Sequence, residues 1–263
     1  MNNIKVLVTG SSGQLGKTIQ ELFSKNTLNI DFVFLSKEGL DITNHEDVEL
    51  ILGKQKIDYC INCAAYTNVE QAEKTPEIAY AVNAEGVKNL ANTCKEYNVI
   101  LIHISTDYVF DGEKKEPYTI DDLPNPINEY GKSKLLGEKY IQEIMNNYFI
   151  IRTSWLYSKK YGNNFYRTIL SKAKIEKQLY ITSKQIGCPT NTVNLSKFII
   201  NDLIIKSHLL FGLYHYRDEQ IMTWYDFAEQ ILKENKLSHK VKLVKAKNYH
   251  TFATRPKNSI LAS

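Results

Sequence analysis

Apolar positions along the first part of the chain follow two alternating rhythms. Short apolar runs read as strands: "IKVLVTG" (Ile4 to Gly10), "DFVFLS" (Asp31 to Ser36), "IDYCINCA" (Ile57 to Ala64), "VILIHIST" (Val99 to Thr106) and "YFIIRTSWLY" (Tyr148 to Tyr157). Their β-branched residues lack clean alternation, as in strands covered on both faces. Between them the apolar spacing is helical. Leu15, Ile19, Leu22 and Phe23 mark a helix from Gly13 to Lys25. His45 to Gln55 gives a second, with Asn44 or Thr43 as cap, and Thr75 to Asn98 a long third. "EYGKSKLLGEKY" opens a fourth at Glu129. Such alternation predicts an α/β fold, a Rossmann-type doubly wound parallel sheet. The pattern changes near residue 158. The helices "GNNFYRTILSKAK", "NLSKFIINDLII" and "WYDFAEQILKENK" then surround one short strand and loop, "QLYITSKQIGCPT". A sheet domain over 1–157, to which later segments return, and a small, mostly helical lobe over 158–263 are expected.

The fourth helix carries an oddity. Gly131 and Gly137 interrupt it, and each glycine costs about 1 kcal/mol against alanine in a helix interior. Small residues there would permit close approach of a ligand or of the sheet. Tyr130 and Lys134, four apart, share one face. An ammonium near a phenol lowers its pKa from about 10 and makes it a usable proton donor.

The first strand runs into "VTGSSGQLGKTI". Gly10 would permit the tight turn, Gly13 the approach of a pyrophosphate, and Gly16 close packing of the following helix. The helix N-terminus supplies N–H groups and a positive dipole end. The spacing is G-x-x-G-x-x-G, so position between strand and helix is what makes it a dinucleotide signal. The second strand ends in Ser36 and Lys37, which suit a ribose 2′-phosphate better than a carboxylate does. NADPH is therefore expected, with NADH possible. Asp41 lies within reach of an adenine. Ser105, Thr106 and Asp107 close the fourth strand, at the edge where open α/β sheets bind ligands.

Composition narrows the classes. Hydrophobic residues are 43% and charged residues 24% of 263, enough for a globular core. A net charge of +4 without a basic run argues against nucleic acid, and no apolar run reaches the ~18 residues of a membrane span. Cys60 and Cys63 form a C-x-x-C, but residues three apart on a strand face opposite sides. With Cys94 and Cys188 they are read as free thiols of a cytoplasmic protein. No metal is expected.

The motifs together resemble the dTDP-4-dehydrorhamnose reductase family of extended short-chain dehydrogenase/reductases. The matching stretches are "VTGSSGQLG", "LDIT", "INCAAYTNVEQAE", "VNAEGVKNLA", "HISTDYVFDG", "EYGKSKLLGE", "IRTSWLY", "GNNF", "QIGCPT", "GLYH", "TWYDFA" and "TRPKNSIL". The resemblance implies NAD(P)H-dependent reduction of the 4-keto group of dTDP-4-dehydro-L-rhamnose. It implies Thr106 as binder of the keto oxygen, Tyr130 as proton donor and Lys134 as its electrostatic partner. It implies cofactor contacts at Ser12, Gly13, Gln14, Leu15, Asp41, Ile42, Ala64, Ala65, Tyr66, Asn83 and Ile104. Asp107 and Trp155 match contacts to the sugar, and Asn164 and Arg255 match contacts to the nucleotide diphosphate. Members normally continue beyond the "RPKNS" motif into another helical segment, so a chain shortened at its C-terminus is expected. Some relatives hold a magnesium at a dimer interface, yet "PTNTVNLSK" has no carboxylate for it. A monomer or a homodimer remains open. The competing expectations are a related nucleotide-sugar epimerase, and a non-catalytic NADP-binding regulatory subunit of the methionine adenosyltransferase type.

Overall fold

The computed structural model describes residues 3–25, 29–246 and 251–262. In chain order, β1 (Ile4–Thr9) leads to α1 (Gln14–Phe23), β2 (Ile30–Phe34), α2 (His45–Lys54) and β3 (Tyr59–Asn62). Asn44 caps α2 by accepting from Glu46 N. Next come α3 (Val69–Lys74), α4 (Pro76–Tyr80), a π-helical turn (Ala81–Glu85), α5 (Gly86–Glu96), β4 (Ile100–Thr106) and a 3₁₀ turn (Asp107–Val109). Then follow α6 (Glu129–Ile144), β5 (Tyr148–Thr153), β6 (Leu156–Tyr157), α7 (Phe165–Lys172), β7 (Gln178–Ile181), β8 (Ile186–Gly187) and β9 (Thr190–Asn191). The last described elements are α8 (Thr192–Lys197), a π-helical extension of it (Phe198–Ile205), β10 (Gly212–Tyr216), β11 (Met222–Thr223), α9 (Trp224–Glu234) and β12 (Lys242–Lys245).

Six strands form one parallel sheet in the order β10-β5-β4-β3-β1-β2. The chain leaves β1 for β2 on one side and returns to β3 on the other. That reversal opens a crevice at the carboxyl ends of β1 and β3, where such sheets bind ligands. One sheet face packs on α2, α5 and α6 through Leu7, Cys60, Leu101 and Ile150. The opposite face packs on α1, α8 and its extension through Val6, Val8, Ile61 and Ile102. A separate core joins α7, α9, Leu179 of β7 and Val241.

Three departures from the sequence pattern matter. The run from Tyr148 to Tyr157 is not one strand, because Trp155 takes a left-handed φ of 47° and breaks it after Thr153. The helix expected from Thr75 to Asn98 contains the π turn, in which Asn83 is buried. β10 joins the sheet from far along the chain, although its residues are all only half buried and carry no apolar run.

Candidate active site

The glycine turn is built by contacts within the protein. Gly10 has φ 59°, and a Cβ there would sit 2.6 Å from the Ala64 amide nitrogen. A Cβ on Gly16 would meet Ser11 Cα at 2.6 Å. These two glycines let β1, β3 and α1 approach closely. Gly13 differs. A Cβ there would meet only the Gly10 carbonyl, at 3.1 Å, so its open side faces the cleft. α1 starts at Gly13 without a side-chain cap, which leaves its first amides and dipole end to a ligand. This donor set fits a dinucleotide pyrophosphate.

The cleft measures about 960 Å³. It brings together Gly13, Gln14, Leu15, Ala65, Ile104, Thr106, Asp107, Tyr130, Lys134, Trp155, Asn164 and Arg255. Thr106 ends β4 and Tyr130 opens α6, whose N-cap Asn128 accepts from Gly131 N at 2.7 Å. The Thr106 and Tyr130 side chains line the cleft together. Thr106 donates to Asp107 Oδ1 at 3.1 Å and accepts from Tyr108 N at 3.2 Å. Tyr108 packs edge-on against the Tyr130 ring at 5.8 Å.

Lys134 is 1% exposed. Its Nζ donates to the Ile104 carbonyl at 2.6 Å and lies 3.1 Å from His103 Nε2. Burial pulls the ammonium down to about 8, opposed chiefly by the Glu138 carboxylate. The expected lowering of the Tyr130 phenol is not found. Burial pushes it up to about 12, with the Thr106 hydroxyl opposing and the Asp107 charge assisting. Lys134 makes its hydrogen bonds toward β4 instead of toward the phenol.

Asp107 is buried and raised to about 6 by that burial, against hydrogen bonds from Ser259, Ser154 and Thr106. The indole of Trp155 stacks on Trp224 with centroids 3.4 Å apart and planes 3° from parallel. Phe165 lies 4.5 Å from Trp224 and extends this aromatic wall. Trp224 and Phe165 were not among the expected site residues. Their sequence signal is only their place in the "TWYDFA" and "GNNF" stretches.

Other expected residues lie elsewhere. Gly10, Ser12, Gly16, Ser36, Lys37, Asp41, Ile42, Ala64, Tyr66 and Asn83 do not line the cleft. Ser36 donates to Glu38 at 2.5 Å, and Lys37 stands 3.7 Å from Asp41. The amide of Asn83 is engaged by Tyr66 N, the Tyr66 carbonyl and Ser133. Ile42 packs in the core against Gly86. Asn164 borders the cleft, but its amide nitrogen donates to Gln14, Ser158 and Tyr161 and its oxygen caps α7. Arg255 pairs with Glu70 at 2.8 Å on the cleft rim. Cys63 lines the cleft while Cys60 packs in the core on the other sheet face. Among the described residues no cluster of three His, Cys, Asp or Glu is placed to hold a metal, and no helix is long and apolar enough to cross a membrane.

A phosphate-ready glycine turn at β1, a hydroxyl at the end of β4 and a Tyr-x-x-x-Lys helix in one cleft define a short-chain dehydrogenase/reductase of the extended type. A family model described as the RmlD substrate binding domain matches residues 4–263. The dTDP-4-dehydrorhamnose reductase of Aggregatibacter actinomycetemcomitans is 39% identical over 266 residues, 98% of this chain and 90% of that protein. The crystal structure of the Bacillus anthracis dTDP-4-dehydrorhamnose reductase in complex with NADP superposes with a TM-score of 0.92 at 40% identity, covering 99% of this chain and 90% of that one. The Clostridium acetobutylicum ortholog gives 0.91 at 37%, covering 98% and 90%. The chain belongs to the dTDP-4-dehydrorhamnose reductase family.

Proposed function

We propose that the chain reduces the 4-keto group of dTDP-4-dehydro-L-rhamnose to the alcohol, with NADPH as donor and NADH as a possible substitute. The observation that carries this reading is the meeting of Thr106, Tyr130 and Lys134 with the Gly13 end of α1 in one cleft. The NADP of the Bacillus anthracis relative supports the choice of cofactor. The cofactor's nicotinamide, when bound, supplies the hydride. The residues then do the rest. The Thr106 hydroxyl holds the keto oxygen, and Tyr130 protonates that oxygen as negative charge develops on it. The Lys134 ammonium, one helical turn on, stabilises the phenolate left behind. Gly13, Gln14 and Leu15 border the pyrophosphate, and Ala65 and Ile104 border the nicotinamide side. Trp155 and Trp224 give the sugar an apolar wall, Asp107 holds a polar group of the sugar, and Asn164 and Arg255 lie toward the nucleotide diphosphate. In this reading the lobe after residue 158 is the substrate side of the cleft. The free thiols Cys60, Cys63, Cys94 and Cys188 suit a reducing cytoplasm.

The test is direct. Protein, NADPH and the keto-sugar nucleotide are mixed, and absorbance of the reduced nicotinamide is followed. Stoichiometric oxidation is expected. Absence of oxidation by protein that binds NADPH would overturn the reading.

A further inference from the structure

Asn62, His103 and Lys134 form a hydrogen-bonded line beneath the cleft. Asn62 and His103 are register partners on β3 and β4, and Lys134 reaches them from α6. The polarity of this line can be fixed from one end. The Ala64 amide can only donate, and it donates to Asn62 Oδ1 at 3.1 Å. The Thr9 hydroxyl donates to the same oxygen at 2.7 Å. The amide nitrogen of Asn62 therefore faces His103 Nδ1, at 3.0 Å. An amide nitrogen has no lone pair to offer, so Nδ1 must be the accepting nitrogen. In a neutral imidazole the proton is then on Nε2.

Nε2 is 3.1 Å from Lys134 Nζ. An ammonium has three donors and no acceptor, so it cannot pair with an N–H. A neutral amine can accept from Nε2 and still donate to the Ile104 carbonyl. The alternative arrangements each break a contact. Moving the proton to Nδ1 sets it against the Asn62 amide. Flipping Asn62 sets its nitrogen against the Ala64 N–H. A doubly protonated ring clashes with Asn62 and is opposed by burial, which holds His103 well below its ordinary value, with Lys134 adding to that.

We propose that His103, oriented by Asn62, is a positioning residue that presents an N–H to Lys134 and thereby limits the pH range over which Lys134 carries its charge. This rests on the reading of Lys134 as the electrostatic partner of Tyr130. A lysine is charged below its pKa and neutral above it. With Lys134 brought down to about 8, the charge that helps Tyr130 is present below that pH and lost above it. The rate constant kcat/KM therefore falls as pH rises through about 8. The other titratable groups around Lys134 do not mask this. Cys63, after β3, is kept protonated by burial, which raises its thiol. Tyr130, one turn back in α6, is raised to about 12. Glu138, one turn on, is ion-paired with Arg152 of β5 at 2.7 Å. Asp107, after β4, faces Tyr130.

Two measurements test the proposal on the full chain. ¹⁵N spectroscopy of the His103 ring in the unaltered protein should show the Nε2–H tautomer; an Nδ1–H tautomer overturns the proposal. In His103→Gln, one side-chain oxygen can accept from both Asn62 and the Lys134 ammonium. The Lys134 titration, read by NMR and as the alkaline limb of kcat/KM, should move up by about one pH unit. An unmoved titration in folded, cofactor-binding variant also overturns it. If the variant does not fold, the tautomer in the unaltered protein decides. If the chain does not turn over the keto sugar, the proposed activity fails, while the tautomer and the NMR titration still decide this inference.

Discussion

Tyr130 sits where a phenol resists ionisation. Burial favours its neutral form, and the nearby Asp107 carboxylate opposes a second negative charge. A proton held this firmly leaves only toward a stronger base, and the oxygen of a ketone being reduced becomes one. Thr106 shares the cleft with the phenol, so a keto oxygen placed between the two hydroxyls would receive one contact for alignment and one for the proton. Tyr130→Phe removes only the hydroxyl. We expect kcat to drop by roughly 10²–10⁴-fold, while the NADPH Kd changes by no more than a few-fold. Steady-state rates and a cofactor titration check this, and full retention of kcat rejects the proton-donor assignment. The spacing of Tyr130 and Lys134 was visible in the chain. The direction of Lys134's hydrogen bonds was not, because it depends on His103 and Asn62, which only the register of β3 with β4 brings together.

At the scale of elements, α6 explains its own glycines. A Cβ on Gly131 would lie 2.2 Å from the Tyr108 carbonyl, and one on Gly137 would lie 2.2 Å from the Asn83 carbonyl. The close approach is therefore to the 3₁₀ turn and the π turn, not to the cofactor or the sheet. Both neighbours carry site chemistry: Tyr108 packs on Tyr130, and Asn83 fixes the Tyr66 backbone. Gly137→Ala should gain about 1 kcal/mol of helix propensity yet lose about 1–3 kcal/mol to overpacking against backbone. A lower urea midpoint is the expected result. A raised midpoint would show that α6 can retreat from the π turn without cost. The main strands and helices were legible because each buries a continuous apolar face. β10 was not, since an edge strand of half-buried, mixed residues lacks that signature. The break at Trp155 was hidden for another reason: a positive φ in a bulky residue is set by packing, not by local preference.

For the whole molecule, the joint between the two parts of the cleft passes through Gln14. Its amide nitrogen donates to the Leu156 carbonyl at 3.0 Å, and its oxygen accepts from Ser158 N and Asn164 Nδ2. One side chain at the phosphate-facing end of α1 thus anchors the segment that leads into the lobe. Gly162 packs so tightly there that a Cβ would come 2.9 Å from Gln14 Cβ. Such a joint between residues more than a hundred positions apart leaves no trace in spacing or periodicity. Gln14→Ala removes three hydrogen bonds, each with a net value near 1 kcal/mol. Stability should fall by about 1–3 kcal/mol in urea unfolding, and KM for the keto-sugar nucleotide should rise. An unchanged KM with reduced stability would confine Gln14 to a structural role.

The chain has two tryptophans, and both belong to the stacked pair on the cleft wall. The intrinsic emission of the protein is therefore a local signal, free of contributions from tryptophans elsewhere. Reduced nicotinamide absorbs where indoles emit, so its arrival in the cleft should quench that emission by energy transfer. The stacking that shapes the wall also makes the protein its own optical probe, with no label needed to watch the cleft fill.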